Sequence, residues 1–168
     1  MKNHSFNFFS LLLIGITFLI SCKERITQPD PTEPPDNSHK VTIAQGVWGN
    51  VWFWEGNFMP PVEPKSASIT PVVRDVYVFE ATDHNETQPV SGGAFFSAIN
   101  SELITIVRSD ADGFFQVNLD PGKYSFFVME DSLFYANEWD NEGYILSATV
   151  LQGEVTKRQI DITYKAYF

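Results

Sequence analysis

The feature that most constrains the fold is an alternation of apolar and polar residues that begins at Val41 and continues to the end of the sequence. Phe115, Val117 and Leu119, for example, are separated by polar Gln and Asn. Successive side chains of an extended strand point to opposite faces, so a period of two predicts strands with one buried face. No part of this region shows the spacing of an amphipathic helix. The alternation therefore predicts an all-β domain over residues 41–168.

Turn residues divide this region into short runs. Asp110–Gly113 and Asp120–Gly122 are predicted tight turns, because Gly adopts positive φ and Pro presets its own φ. The runs between turns predict seven strands: Ile43–Trp54, Val72–Glu80, Leu103–Ser109, Phe114–Leu119, Lys123–Glu130, Tyr144–Leu151 and Lys157–Tyr167. Seven short strands joined by tight turns are typical of an antiparallel β-sandwich.

The first 21 residues have the organisation of a secretory signal peptide. Lys2 precedes a nearly unbroken apolar stretch, Phe8–Ile20. This stretch is shorter than the roughly 20 residues that a helix needs to cross a bilayer. It ends in Leu19-Ile20-Ser21-Cys22, which resembles the lipobox of bacterial lipoproteins.

The lipobox resemblance implies that Cys22 becomes the lipidated first residue of the mature protein. Its thiol would carry a diacylglyceryl group as a thioether, and its freed amine a further acyl chain such as palmitate. Burial contributes about 0.8 kcal/mol per methylene, so two or three chains anchor a protein stably. Cys22 is the single cysteine, so no intramolecular disulfide can form. We expect a lipid-anchored protein of the cell envelope, in the outer membrane, facing either the periplasm or the exterior.

Residues 22–40 are expected to form a disordered, proline-rich tether that follows the lipidated cysteine. The formal net charge of the whole chain is −10. Nucleic acids and anionic membrane surfaces are normally bound by clustered Lys and Arg. The acidity therefore argues against nucleic acid as a partner, and against a membrane contact other than the lipid on Cys22.

The run Ser109–Val128 has a polar turn with Gly, an aromatic strand, the sequence Leu119-Asp120-Pro121-Gly122-Lys123-Tyr124 and a further strand. It resembles the signature of carboxypeptidase regulatory-like domains. The resemblance implies a prealbumin-like sandwich of the Greek-key type, with Tyr124 packed between the sheets and no catalytic machinery. The customary Gly-x-Pro-Leu-x-Gly-Ala turn is absent; Gly56–Pro61 and a longer loop replace it.

Residues suited to catalysis are scarce. His4 belongs to the signal peptide and His39 to the tether, so only His84 lies in the domain. This excludes a metal site built from several histidines and argues against a Ser-His relay. We therefore expect a protein that is not an enzyme and has no catalytic residues, no metal and no cofactor.

One acidic turn imitates the start of a calcium-binding loop. Asp110, Asp112 and Gly113 match the first positions of an EF-hand, but its twelfth position is occupied by Pro121 in place of Glu. A hairpin turn is the preferred interpretation, and weak calcium binding is the alternative.

The aromatic residues suggest a binding surface. In the first predicted strand, Trp48, Trp52 and Trp54 share one face, opposite Val47 and Val51. Both faces cannot easily be core in a two-layer sandwich, so some of these rings are expected to be exposed or capped. Tryptophan faces offer large apolar platforms on which sugar rings stack. A covering by the loop 60–71 or by the tether is the alternative.

A second group, Tyr135 and Trp139, lies near Glu138 and Asp140, whose carboxylates could accept hydrogen bonds from hydroxyl groups. The candidate glycan-binding residues are therefore Trp48, Trp52, Trp54, Tyr135 and Trp139. The expected function is a non-catalytic binding or scaffold module, with polysaccharide or another envelope protein as partner. The alternative is a structural spacer, or a protein–protein interaction module, without a small-molecule ligand.

Overall fold

The computed structural model of the protein describes residues 36–60, 67–90 and 92–168. The predicted signal peptide 1–21, the lipidation residue Cys22 and the tether as far as residue 35 lie outside this range. Part of the 60–71 loop also lies outside it. Within the described ranges, no helix has the length and apolar character needed to cross a membrane.

The described residues form twelve strands and two short 3-10 helices, Ser38–Lys40 and His84–Glu86. The strands are β1 (Gly46–Asn57), β2 (Ala67–Pro71), β3 (Asp75–Glu80), β4 (Thr87–Pro89), β5 (Phe95–Ile99), β6 (Leu103–Arg108), β7 (Phe114–Val117), β8 (Gly122–Glu130), β9 (Leu133–Tyr135), β10 (Ser147–Val150), β11 (Val155–Lys157) and β12 (Ile160–Tyr167). The all-β prediction is confirmed. Each of the seven predicted strands overlaps an observed one, but the number seven was too low because β2, β4, β5, β9 and β11 were missed.

The strands form two sheets. In the smaller sheet β1 is central, with β7 and β2 antiparallel along one edge and β11 and β12 parallel along the other. The larger sheet has the order β4-β5-β9-β8-β3-β6, and β10 pairs with β8 beyond the end of β9. Every pairing in the larger sheet is antiparallel, so the two parallel contacts of β1 are the departure from the predicted antiparallel pattern.

The core lies between the sheets and contains side chains from both. Val47 and Val51 of β1 are fully buried there, and so are Val76 and Val78 of β3. Full burial of an aliphatic side chain contributes roughly 1.5–3 kcal/mol, so this cluster holds the two layers together. The predicted alternation of β1 is thereby explained, because its odd-numbered residues face the core.

The hairpin between β8 and β9 turns at two non-glycine residues with positive φ. Asp131 has φ 47° and Ser132 has φ 67°. Two-residue hairpin turns of this kind usually carry Asn-Gly or Asp-Gly, because both positions need positive φ. The sequence therefore contained no glycine signal for this turn, and β9 was overlooked.

The folded domain begins before Val41. Asn37 is 3% exposed, and its side-chain amide donates to Asn50 Oδ1 at 2.7 Å and to the Asp112 carbonyl at 3.0 Å. Thr42 exchanges two hydrogen bonds with the Gln116 side chain. Asn37, Lys40 and Thr42 thus contact the domain, whereas the tether was predicted to extend to residue 40. These residues are held by polar contacts and carry no apolar pattern, so their docking could not be predicted from the sequence.

Candidate binding surface

Trp48, Trp52 and Trp54 lie on the outer face of the smaller sheet, opposite the core-facing residues of β1. They differ widely in exposure. Trp52 is 1% exposed, whereas Trp48 and Trp54 are half-buried. The outer face is therefore not a continuous open platform of three tryptophans.

The end of this face around Trp48 is covered. The Phe114 ring lies 6.1 Å from the Trp48 ring, and Lys157 Nζ lies 5.0 Å from the centre of the Trp48 ring. Lys40 Nζ in turn lies 5.7 Å from the centre of the Phe114 ring. Phe114 and Lys157 thus contact the Trp48 ring, and Lys40 contacts Phe114 beside it.

Trp52 is removed from the candidate set by its burial. Its neighbours across the sheet are Pro71 and Asp161. Its indole N–H is buried and has no hydrogen-bond partner among the described residues. A ring that is almost wholly enclosed cannot offer its face to a sugar, so we assign Trp52 a packing role.

Tyr135 is also removed, because it lies inside the sandwich. Its ring is 1% exposed and contacts Phe95 and Tyr164 at centroid distances of 5.0 and 5.7 Å. Its hydroxyl oxygen accepts a hydrogen bond of 3.0 Å from the backbone N–H of Thr163. The side chain links β9 to β12 and is not open to a ligand.

Trp139 is the most exposed of the four tryptophans, at 47%. It forms an isolated β-bridge with Ile145. The neighbouring Glu138 forms an ion pair of 2.6 Å with Arg158. Among the described residues the Trp139 ring makes no ring contact with Trp48 or Trp54, so the predicted tryptophans do not form one aromatic cluster.

An aromatic cluster does form around Trp54, and we call Trp54, Phe58 and Phe168 the aromatic platform. The Phe58 ring lies 5.2 Å from Trp54 and is stacked on Phe168 at 5.5 Å with an interplanar angle of 21°. Phe168 is 69% exposed, and the adjacent Met59 and Tyr167 are exposed by 44% and 67%. Phe58 and Phe168 were not predicted as binding residues, because no local pattern in the sequence connects them with Trp54.

A carboxylate lies beside the aromatic platform. The indole N–H of Trp54 donates to Asp161 Oδ1 at 2.9 Å, and the Gln159 side-chain amide donates to the same oxygen at 2.8 Å. Burial raises the pKa of Asp161 above its ordinary value, although these two hydrogen bonds act in the opposite direction. Oδ2 of Asp161 makes no hydrogen bond with the described residues and can therefore accept one from a ligand hydroxyl.

The acidic turn that imitates a calcium loop holds a lysine ammonium group instead. Lys40 Nζ lies 2.9 Å from Asp110 Oδ2 and 2.5 Å from Asp112 Oδ2. Asp110 Oδ1 accepts hydrogen bonds from the backbone N–H groups of Asp112 and Phe114, as expected of a tight turn. Within residues 36–60, 67–90 and 92–168, no three His, Cys, Asp or Glu side chains are grouped as metal ligands.

A second turn is built in the same way. Lys123 forms ion pairs with Asp140 and Glu142, and its Nζ lies 4.6 Å from the centre of the Tyr144 ring. Asp140 Oδ1 accepts from the backbone N–H groups of Glu142 and Tyr144. Both turns thus share an Asp-x-acid-Gly-aromatic sequence with a lysine between the carboxylates, and both are structural.

Tyr124, expected between the sheets, is half-buried and packs against the core from its edge. Its hydroxyl reaches back over Gly122 and donates to the Asp120 carbonyl at 3.0 Å. The ring thereby braces the Asp120–Gly122 turn between β7 and β8.

No protein-family model matches the chain, and comparisons with curated proteins and with solved structures found no match. The lipobox and the carboxypeptidase regulatory-like signature therefore remain predictions from the sequence. The aromatic platform and its polar neighbours are the features of the surface that indicate what it could bind.

Proposed function

We propose that the protein is a lipid-anchored, non-catalytic module of the bacterial cell envelope that binds carbohydrate on its aromatic platform. The proposed location in the cell envelope derives from the signal peptide and from the lipobox-like sequence that ends at Cys22. The proposed domain is a prealbumin-like sandwich of the Greek-key type, a form with which the all-β, two-sheet architecture is compatible.

The observation that carries the carbohydrate proposal is the arrangement of Trp54, Phe58 and Phe168 beside Asp161. A sugar ring has apolar C–H faces edged by hydroxyl groups, so it suits a site that pairs an aromatic surface with hydrogen-bond acceptors. The stacked pair Phe58–Phe168 extends the surface of Trp54, and the hydrogen bond from Trp54 to Asp161 orients both groups. Because Phe168 is 69% exposed while Trp54 and Phe58 are half-buried, the surface fits part of a polysaccharide chain better than an enclosed small sugar.

The test is native affinity electrophoresis of the full chain in gels that contain a panel of bacterial polysaccharides. We expect at least one polysaccharide to retard the protein, and Trp54→Ala and Phe168→Ala to weaken the binding by about tenfold. Trp139→Ala is the matched control and should bind as the unaltered protein does. If only Trp139→Ala loses binding, the site lies at Trp139. If no polysaccharide retards the protein, the proposal is contradicted.

The anchor is tested separately. Cys22→Ser removes the group that would accept the diacylglyceryl unit. We expect this variant to leave the membrane fraction and to lose the mass of the acyl groups, while the unaltered chain stays with the membrane. Equal membrane association of the two proteins would contradict lipidation at Cys22.

A spacer without a ligand is the second candidate. The burial of Trp52 and Tyr135 and the covering of Trp48 favour it, because they assign packing roles to three of the five predicted binding residues. A protein that ignores the polysaccharide panel but remains anchored through Cys22 would be explained by this candidate.

A further inference from the structure

The strand β6 lies at one end of the larger sheet. Among the described residues it pairs only with β3. Its apolar side chains are unusually open to solvent: Leu103 is 45% exposed, Ile104 39% and Ile106 48%. An edge strand with free backbone groups and exposed apolar side chains is a template for pairing with another chain.

The sequence of this strand is complementary to itself when read in opposite directions. An antiparallel pairing of two copies centred on Thr105 joins Glu102 with Arg108, Leu103 with Val107, and Ile104 with Ile106. At the two-fold axis Thr105 would face its own copy. Opposite charges and Thr–Thr pairs are among the combinations that stabilise directly opposed residues in an antiparallel ladder, and the two aliphatic pairs would bury apolar surface.

We propose that two copies of the chain associate through antiparallel pairing of β6 with β6, so that the larger sheets continue across a two-fold axis at Thr105. Such an interface is isologous, which means that the same surface is used by both copies. Glu102 and Arg108 are both exposed, so each pair of opposite charges forms without burying an unpaired ion. Arg108 already lies 2.7 Å from Asp75, and that ion pair holds its guanidinium group at the edge of the sheet.

The pairing is expected to be modest in strength. The ladder between β6 and β3 shifts register between Thr105 and Leu103, and a bulge of this kind increases the local twist of an edge strand. A single strand pair also buries less than the roughly 1,200 Å² of a standard stable interface. A covalent trap in the intact cell is therefore a better detector than dilution after purification.

The trap is the full chain carrying Thr105→Cys, produced in a bacterial host and oxidised mildly before lysis. Directly opposed Cβ atoms in an antiparallel ladder lie about 4.5–5.5 Å apart, close to the distance that a disulfide needs. We expect a disulfide-linked dimer on a non-reducing gel. The matched control is Thr149→Cys, because Thr149 is an exposed residue of β10. The unaltered chain is a second control, which measures any cross-linking through Cys22.

Charge reversal then tests the register. In the Thr105→Cys background, Glu102→Arg places Arg opposite Arg, and Arg108→Glu places Glu opposite Glu, so each variant should give about tenfold less dimer. Co-expression of these two variants with different tags restores both opposite-charge pairs and should restore the mixed dimer. A variant that had simply failed to fold could not be restored in this way. Equal cross-linking of Thr105→Cys and Thr149→Cys, or cross-linking unaffected by charge reversal, would overturn the proposal.

Discussion

The ammonium nitrogen of Lys40 lies 2.9 Å from Asp110 Oδ2, across 70 positions of the sequence. The contact fastens the segment 36–42 to the turn before β7. The hydrogen bonds that Lys40 donates to Asp112 and Asp110 raise the pKa of Lys40 above its ordinary value. For Asp110, burial would raise the pKa, but hydrogen bonds from Lys40 and from two backbone N–H groups outweigh it and lower the pKa.

We predict that Lys40→Gln lowers the thermal midpoint of unfolding, because Asp110 and Asp112 then lose the cation between them. Because the pKa of Lys40 is raised, its contribution to folding stability is complete below about pH 10 and is lost at higher pH. Because the pKa of Asp110 is lowered, its contribution to folding stability is complete above about pH 4 and is lost in acid. The difference between the two proteins should thus be constant between these limits and shrink outside them. Lys40→Arg should keep most of the stability that Lys40→Gln loses. If salt at about 1 M does not reduce the difference between the unaltered protein and Lys40→Gln, an ionic origin is contradicted.

A second prediction concerns Tyr164, whose hydroxyl donates to Glu130 Oε2 at 3.0 Å. Burial and this hydrogen bond raise the pKa of Tyr164 to about 12. Its contribution to stability is therefore complete below about pH 10 and lost as the pH rises through about 12. We expect Glu130→Gln to lower the pKa of Tyr164 while burial keeps it above 10. The measurement is a pH titration of the Tyr164 ring signals by NMR, which Tyr164→Phe assigns by deleting them.

Glu130→Gln also tests whether this carboxylate is structural. Its side chain is 5% exposed and forms an ion pair with Arg74. Removing the charge leaves the guanidinium group of Arg74 without its buried partner, so we expect lower stability as well as the shifted titration. An unchanged Tyr164 titration in this variant would show that the hydrogen bond has no influence on the phenol.

A third prediction separates the packing tryptophan from the exposed one. Trp52→Ala should lower the free energy of unfolding by about 3–5 kcal/mol, because it leaves a large cavity under the outer face of β1. Trp139→Ala should change it by less than about 0.5 kcal/mol, since a half-exposed ring makes few packed contacts. Urea unfolding of both variants is the measurement. Equal effects would contradict the packing role assigned to Trp52.

The alternation of β1 shows how far the sequence could lead. It put Val47 and Val51 on one face and Trp52 on the other, because a period of two specifies faces directly, and in the structure the first of these faces lies in the core. It could not specify what covers the outer face. That depended on the docking of Asn37 and Lys40, which is decided by polar groups many positions away.

The pairing of strands was equally beyond the sequence pattern. The parallel contacts of β1 with β11 and β12 join residues more than a hundred positions apart, and no local signal records them. The strand β4 contains Pro89 and has only three residues, so it offered too little alternation to be recognised. The aromatic platform was missed for a related reason, since Phe58 follows β1 and Phe168 follows β12.

The last prediction concerns Asp161, which orients Trp54 in the aromatic platform. Burial raises the pKa of Asp161; Glu138 acts in the same direction, while Arg158 and the bonds from Gln159 and Trp54 oppose it. A raised carboxyl pKa means that the fold favours the neutral form. The contribution of Asp161 to folding stability is therefore complete below about pH 3.8, and it is lost as the pH rises through the pKa of Asp161 in the folded protein.

We therefore expect Asp161→Asn to be more stable than the unaltered protein near pH 7 and equally stable near pH 3. The amide oxygen of Asn can still accept the hydrogen bond from Trp54, so the aromatic platform should keep its arrangement. Urea unfolding of both proteins at the two pH values is the measurement, with the indole N–H signal of Trp54 as a check on the retained hydrogen bond. A variant that is less stable near pH 7 would show that the charged form of Asp161 supports the fold, and would reverse the sign of the burial argument.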